Sequence, residues 1–253
     1  MIKSLFNAVS ISFFLALSSF SLASEKAIID PSARFHPLVS SRGMVVSQEM
    51  LASQVGADIL ARGGNAVDAA VATGFALAVT LPRAGNLGGG GFMLVHLAEE
   101  NKTVAIDYRE MAPASASRDM FLDAEGDVDN NKARYSVQSS GVPGTVAGLL
   151  HALDSYGTMS LKQVLQPAIE LAAKGFKVSM DLSSSLQARQ QTMHKNPASR
   201  EYFYKADDAG YEYGETLVQK HLAATLGRIA KRGRSGFYQG KTAQLIVAEM
   251  QRT

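Results

Sequence analysis

From Ala66 to Leu81 the chain is apolar almost all round, and the run "AAVATGFALAVTL" inside it offers water no polar face. A helix of that kind belongs inside a protein. At about 16 residues it measures roughly 24 Å, short for a bilayer span. Other layers must therefore wrap around it. Asn65, with Asp68 three positions on, predicts its start through a capping box that lacks the usual Glu or Gln. Pro82 fits its end.

The flanking segments supply candidates for those layers. "GMVVS" (Gly43 to Ser47) reads as a short strand, with Ser47 placed to cap a helix in which Leu51, Val55 and Ile59 recur at four-residue spacing. Gly63-Gly64 suits a left-handed close to that helix. Downstream, "FMLVHLA" and "TVAIDY" read as two strands joined by the polar turn "EENK", hence an antiparallel hairpin. Both strands are nearly continuously apolar, which predicts a sheet covered on both faces. A layered sandwich with helices outside follows.

Residues 121–135 are polar and predict a loop, and the remainder reads as helical. "GTVAGLLHALDSYG" should end at Gly157, and Ser160 with Gln163 forms a second capping box. Pro167 should kink or restart the helix that follows. Val218, Leu222, Leu226 and Ile229 line one helical face before Gly233. The last segment, Thr242 to Thr253, is helix-like with no closing cap, so the chain is expected to be the first part of a longer precursor.

The first residues form a separate object. Lys3, the largely apolar stretch Leu5 to Phe20 and the small residues of "SLA" predict a secretory signal peptide over residues 1–23, cleaved after Ala23. A retained membrane anchor is the alternative. Residues 24–253 are then one exported body, periplasmic or secreted, with no membrane association after cleavage. The chain has no cysteine, which excludes a thiol nucleophile, a disulfide and a Cys-ligated metal. Its five histidines are scattered without ligand spacing, so no metal is expected. A formal charge of +2 without a long basic run argues against nucleic acid. The densest cluster, "RIAKRGR" (Arg228 to Arg234), overlaps a helix end, where cations suit the macrodipole.

Four consecutive glycines, Gly88 to Gly91, invite a phosphate-cradle reading. No Lys or hydroxyl follows them, and the order is helix, glycines, strand, which inverts a dinucleotide fingerprint. Close backbone packing where a buried strand begins fits better. The chemical candidate is Arg109 in "AIDYREMAP", at the end of an apolar strand and four residues before Pro113. A guanidinium held there suits a carboxylate, through two parallel hydrogen bonds. On spacing alone, pairing with Asp107 or Glu110, or plain solvation, is the better account.

"PRAGNLGGGGFMLV", "AIDYREMAP", "SGVPGTVAGLLHALDSYGTM" and "FYQGKTAQLIVAEMQ", in that order, resemble the N-terminal part of a bacterial γ-glutamyltranspeptidase precursor. The resemblance runs from about Gly43 to Gln251. It implies an α/β fold, the α-β-β-α sandwich of N-terminal-nucleophile hydrolases, present here only in part. It also implies a precursor that cuts itself into a large and a small subunit, exposing a threonine on the small one. That threonine attacks the γ-carbonyl of glutathione or another γ-glutamyl compound, and water, an amino acid or a dipeptide takes the acyl group. No cofactor is implied. The arginine of the family's "REMAP" motif, by position Arg109, binds the α-carboxylate of the γ-glutamyl group. The family's nucleophile has no counterpart in this sequence: Thr145, Thr158 and Thr216 sit in capping or turn contexts, so this chain alone is expected to be inactive. Another N-terminal-nucleophile amidase, cephalosporin-acylase-like or a polyglutamate capsule transpeptidase, and a non-enzymatic periplasmic binding module are the alternatives.

Overall fold

A computed structural model describes residues 39–252, so the expected signal peptide, its cleavage point and Thr253 lie outside the described residues. The chain divides into two units, Met1–Ser41 and Arg42–Thr253, and the architecture below is that of the second. Its elements run α1 (Met50–Ala61), α2 (Ala66–Thr80), β1 (Phe92–Leu97), β2 (Lys102–Asp107), α3 (Asn130–Tyr135), α4 (Thr145–Tyr156) and α5 (Leu161–Lys174). There follow β3 (Phe176–Lys177), α6 (Met180–Met193), α7 (Pro197–Phe203), β4 (Thr216–Leu217), α8 (Lys220–Arg232), α9 (Ser235–Tyr238) and α10 (Gly240–Arg252).

The apolar helix α2 is the centre of the unit, as its sequence demands, with Val71, Phe75 and Val79 wholly buried. It packs against α1, α4 and α5. The Asn65–Asp68 capping box is present, and so is the one formed by Ser160 and Gln163 at the start of α5. Pro167 lies inside α5, yet the helix runs unbroken from Leu161 to Lys174. Its buried face, Val164, Leu165, Ala168 and Ala172, outweighs one lost backbone hydrogen bond.

Asp68 does more than cap. Its side chain is fully buried and accepts from Thr158 Oγ1 (2.6 Å), Thr158 N (2.9 Å), Met159 N (3.1 Å) and Asn65 N (2.8 Å). It thereby ties the start of α2 to the α4–α5 connection. Burial alone would raise the carboxyl's pKa, but the Thr158 hydroxyl and the three backbone N–H groups outweigh it and hold the carboxyl below its ordinary value. With the folded pKa depressed, the stabilisation is complete above the unfolded value of about 3.9 and is lost as pH falls through the folded one. Asp68→Ala would leave three N–H donors without their acceptor and should cost roughly 3 kcal/mol or more. Unfolding free energies measured between neutral pH and pH 3 should show a shallower acid limb in the variant than in the wild type.

Several local expectations need correction. Glu49, not Ser47, caps α1, accepting from Ala52 N at 2.9 Å, while Ser47 Oγ donates to Glu49 O and contacts Ser53 Oγ. "GMVVS" forms no strand, since no segment among the described residues pairs with it. Residues 130–135 are helical: Asp129 accepts from Asn131 N and Lys132 N, a cap that needs no apolar periodicity. Val218 lies outside α8 and is 40% exposed, so only Leu226 and Ile229 of its expected stripe are fully buried. Thr216 pairs with Lys177 in the β3–β4 ladder and so lies in a strand.

The hairpin is antiparallel, with Phe92 opposite Asp107 and Leu97 opposite Lys102. Its faces differ among the described residues, which cover only one of the two. Val95 and Ile106 join the core, whereas Phe92 and Leu94 are 67% and 75% exposed among the described residues. Strand pleating sends alternate side chains to opposite faces, so an apolar run can still be wetted on one of them.

Candidate functional site

Arg109 stands two residues past the end of β2, and its backbone is gripped on both sides. Its N–H donates to Asp107 Oδ1 at 3.0 Å, which uses that carboxylate for the main chain and not for the guanidinium. One residue earlier, Tyr108 N donates to Gly91 O at 3.0 Å. Two residues later, Met111 and Val142 exchange both backbone hydrogen bonds, at 3.2 and 2.7 Å. Arg109 is exposed, and among the described residues its guanidinium meets no carboxylate. Neither Asp107 nor Glu110 is its ion-pair partner.

The glycines explain how the strand end is held. α4 has no side-chain cap; Gly89 O accepts instead from Gly144 N (2.7 Å) and Thr145 N (2.9 Å). A Cβ on Gly144 would lie 1.9 Å from Tyr108 O, and one on Gly148 would lie 2.0 Å from Tyr108 Cγ. The first turn of α4 thus lies flat against the "YRE" backbone, at a distance only glycine permits. The run is a packing device beside the site, and no helix N-terminus follows it.

Around Arg109 lies a depression of about 420 Å³. Asp107, Val142, Ala147, His151, Arg234 and Tyr238 contribute to its wall. Tyr238 braces it, donating through its hydroxyl to Pro143 O (2.8 Å) and accepting from Ala147 N (3.1 Å). Burial pushes the Tyr238 phenol up, offset in part by the Ala147 N–H and by Arg234, whose guanidinium carbon stands 5.8 Å from the ring centroid. Sequence reasoning located Arg109 but missed Arg234, His151 and Tyr238. The cluster Arg228 to Arg234 does overlap a helix end, with Lys231 and Arg232 in the last turn of α8, but Gly233, at φ +57°, ends the helix before Arg234, which lines the depression.

The candidate threonines are all engaged structurally. Thr145 begins α4, Thr158 donates to Asp68, and Thr216 is in β4. No group of three or more His, Asp or Glu side chains among the described residues is arranged to hold a metal. No described helix is long and apolar enough to cross a membrane.

A family model described as gamma-glutamyltranspeptidase matches residues 52–253. The glutathione hydrolase proenzyme of Escherichia coli (strain K12) is 50% identical over 218 residues, which are 86% of this chain and 37% of that protein. The crystal structure of Helicobacter pylori gamma-glutamyltranspeptidase superposes with a TM-score of 0.83 at 44% identity, covering 86% of this chain and 62% of that one. Cephalosporin acylase from Bacillus halodurans shares the fold at a TM-score of 0.72 and 27% identity, over 89% of this chain and 43% of its own. The architecture is part of the α/β fold of N-terminal-nucleophile hydrolases. The chain spans little more than a third of the length of the proenzyme it matches. On the family match and these identities, this chain belongs to the γ-glutamyltranspeptidase family.

Proposed function

We propose that this chain is the donor-binding part of an exported γ-glutamyl hydrolase and transferase, with Arg109 as the anchor for the α-carboxylate of the γ-glutamyl group. The observation that carries this reading is an exposed guanidinium that meets no carboxylate among the described residues, on a backbone held from both sides, in a depression of about 420 Å³. A planar fork so placed takes a carboxylate with two parallel, charge-assisted hydrogen bonds. Fixing the α-carboxylate sets where the γ-carbonyl lies relative to the attacking group, and such positioning lowers the barrier without any chemistry by the anchor itself.

The nucleophile belongs to the remainder of the precursor. There the family's threonine, freed by self-cleavage as the start of a small subunit, attacks the γ-carbonyl; the C–N bond breaks and the amine leaves with a proton. Water then hydrolyses the acyl-enzyme, or an amino acid or dipeptide takes the acyl group. Glutathione is the donor that the relatives' names support. The small subunit's sheet would cover the open hairpin face at Phe92 and Leu94. Residues 1–23 act as the signal peptide, which places the mature protein in the periplasm or outside the cell.

The full-length gene product should hydrolyse a γ-glutamyl anilide and leave an α-glutamyl anilide untouched, while purified residues 24–253 turn over neither. Cleavage of a cephalosporin side-chain amide with no γ-glutamyl activity would replace this reading with an acylase. Glutamate binding without turnover by the full-length product would replace it with a binding module.

A further inference from the structure

Arg109 is not the only cation on its depression. Arg234 arrives from a turn more than a hundred residues downstream and lines the same wall, as does His151 of α4. Among the described residues that line it, the carboxylate facing the two guanidiniums is Asp107, whose Oδ1 is occupied by the Arg109 N–H. Like Arg109, Arg234 is exposed and meets no carboxylate among the described residues. It is not loose. Its guanidinium stands 5.8 Å from the centroid of the Tyr238 ring, and that ring is fixed by its hydroxyl's bonds to Pro143 O and Ala147 N. Stacking on an anchored aromatic ring limits how far an arginine can swing, while leaving its N–H edge for a ligand.

A depression of this size falls in the range of small-ligand sites, roughly 300–1,000 Å³. Two guanidiniums on one such surface suit a ligand with two carboxylates better than a ligand with one. We propose that Arg234 binds the distal carboxylate of the donor, and so sets a preference for γ-glutamyl donors whose leaving amine ends in a free carboxylate. The inference rests on the assignment of Arg109 above. It adds a specificity group for the part of the donor that departs.

The test compares hydrolysis of γ-glutamylglycine and γ-glutamylglycinamide, which differ only at the distal carboxylate. It uses the mature enzyme made from the full-length precursor, with no acceptor added. The ratio of kcat/KM for the acid to that for the amide is the readout. Arg234→Ala and Arg234→Gln should each lower it about tenfold, the effect of one charge-assisted contact weakened by solvent exposure. Arg234→Glu should lower it further by placing like charges together. Arg109→Ala should depress both donors and keep the ratio within about twofold, since both carry the α-carboxylate. An unchanged ratio in all three Arg234 variants overturns the inference, whatever the Arg109 variant does. A ratio that holds while transfer to a dipeptide acceptor falls also overturns it, moving Arg234 from donor to acceptor. Should Arg109→Ala leave both donors unaffected while the Arg234 ratio collapses, the anchor assignment fails and the distal contact stands.

Discussion

Arg109→Ala in the full-length precursor is expected to lower kcat/KM for any γ-glutamyl donor by about 10²-fold or more. A hydrogen bond to a charged group is worth about 1.5–3 kcal/mol, and a bidentate pair comprises two. Because no carboxylate of this chain pairs with the guanidinium among the described residues, removing it strands no internal partner. The loss should therefore appear in turnover and not in folding. Arg109→Lys should rescue poorly, since an ammonium supplies charge without the planar fork. Self-cleavage should survive in both variants, because that reaction does not use the substrate's carboxylate. Gel analysis of processing beside steady-state kinetics checks both halves of the expectation. Normal processing with near-wild-type kcat/KM would make Arg109 a surface arginine and nothing more.

The second large effect is expected at α4, not at a charged residue. In Gly144→Ala the new methyl would lie 1.9 Å from Tyr108 O and 3.1 Å from Arg109 O, and in Gly148→Ala 2.0 Å from Tyr108 Cγ. Backbone and a half-buried ring must then move, and the helix start loses its fit on Gly89 O. Overpacking of this kind costs about 3 kcal/mol or more. Since Tyr108 precedes Arg109, the same shift should also carry the anchor out of place. Lower melting temperature and lower kcat/KM should therefore appear together. Gly88→Ala is the control: nothing lies within 4 Å of its added Cβ, so its stability should change by no more than about 0.5 kcal/mol. A Gly144→Ala protein that melts and turns over like the wild type would contradict the packing described for the strand end.

That contrast between Gly88 and Gly144 shows where sequence reading reaches its limit. The glycine run is conspicuous in the sequence, but which of its members matter depends on α4, whose glycines lie over fifty residues away and look like ordinary helix residues. Features with local causes were legible: the buried α2 from its lack of a polar face, both capping boxes from their three-residue spacing, and the hairpin from its turn. Arg109 was legible as the charged end of an apolar strand. That its guanidinium meets no carboxylate among the described residues was not, because Asp107 could have served the guanidinium or the main chain equally well by spacing. Arg234 and Tyr238 reach the same depression only through the turn at Gly233, and no period in the sequence announces that. The apolar strands announced a sheet to be covered, but not which face the described residues pack, because apolar character along a strand does not say which face a given segment meets.

The most direct test is a structure of the mature full-length protein with glutamate bound. The α-carboxylate should lie on Arg109 with two N–H···O contacts of about 2.7–2.9 Å to the guanidinium, and the γ-carboxyl should point away towards the small subunit. Glutamate bound elsewhere, or in this depression with its α-carboxylate held by other groups and the Arg109 guanidinium in solvent, would contradict the account.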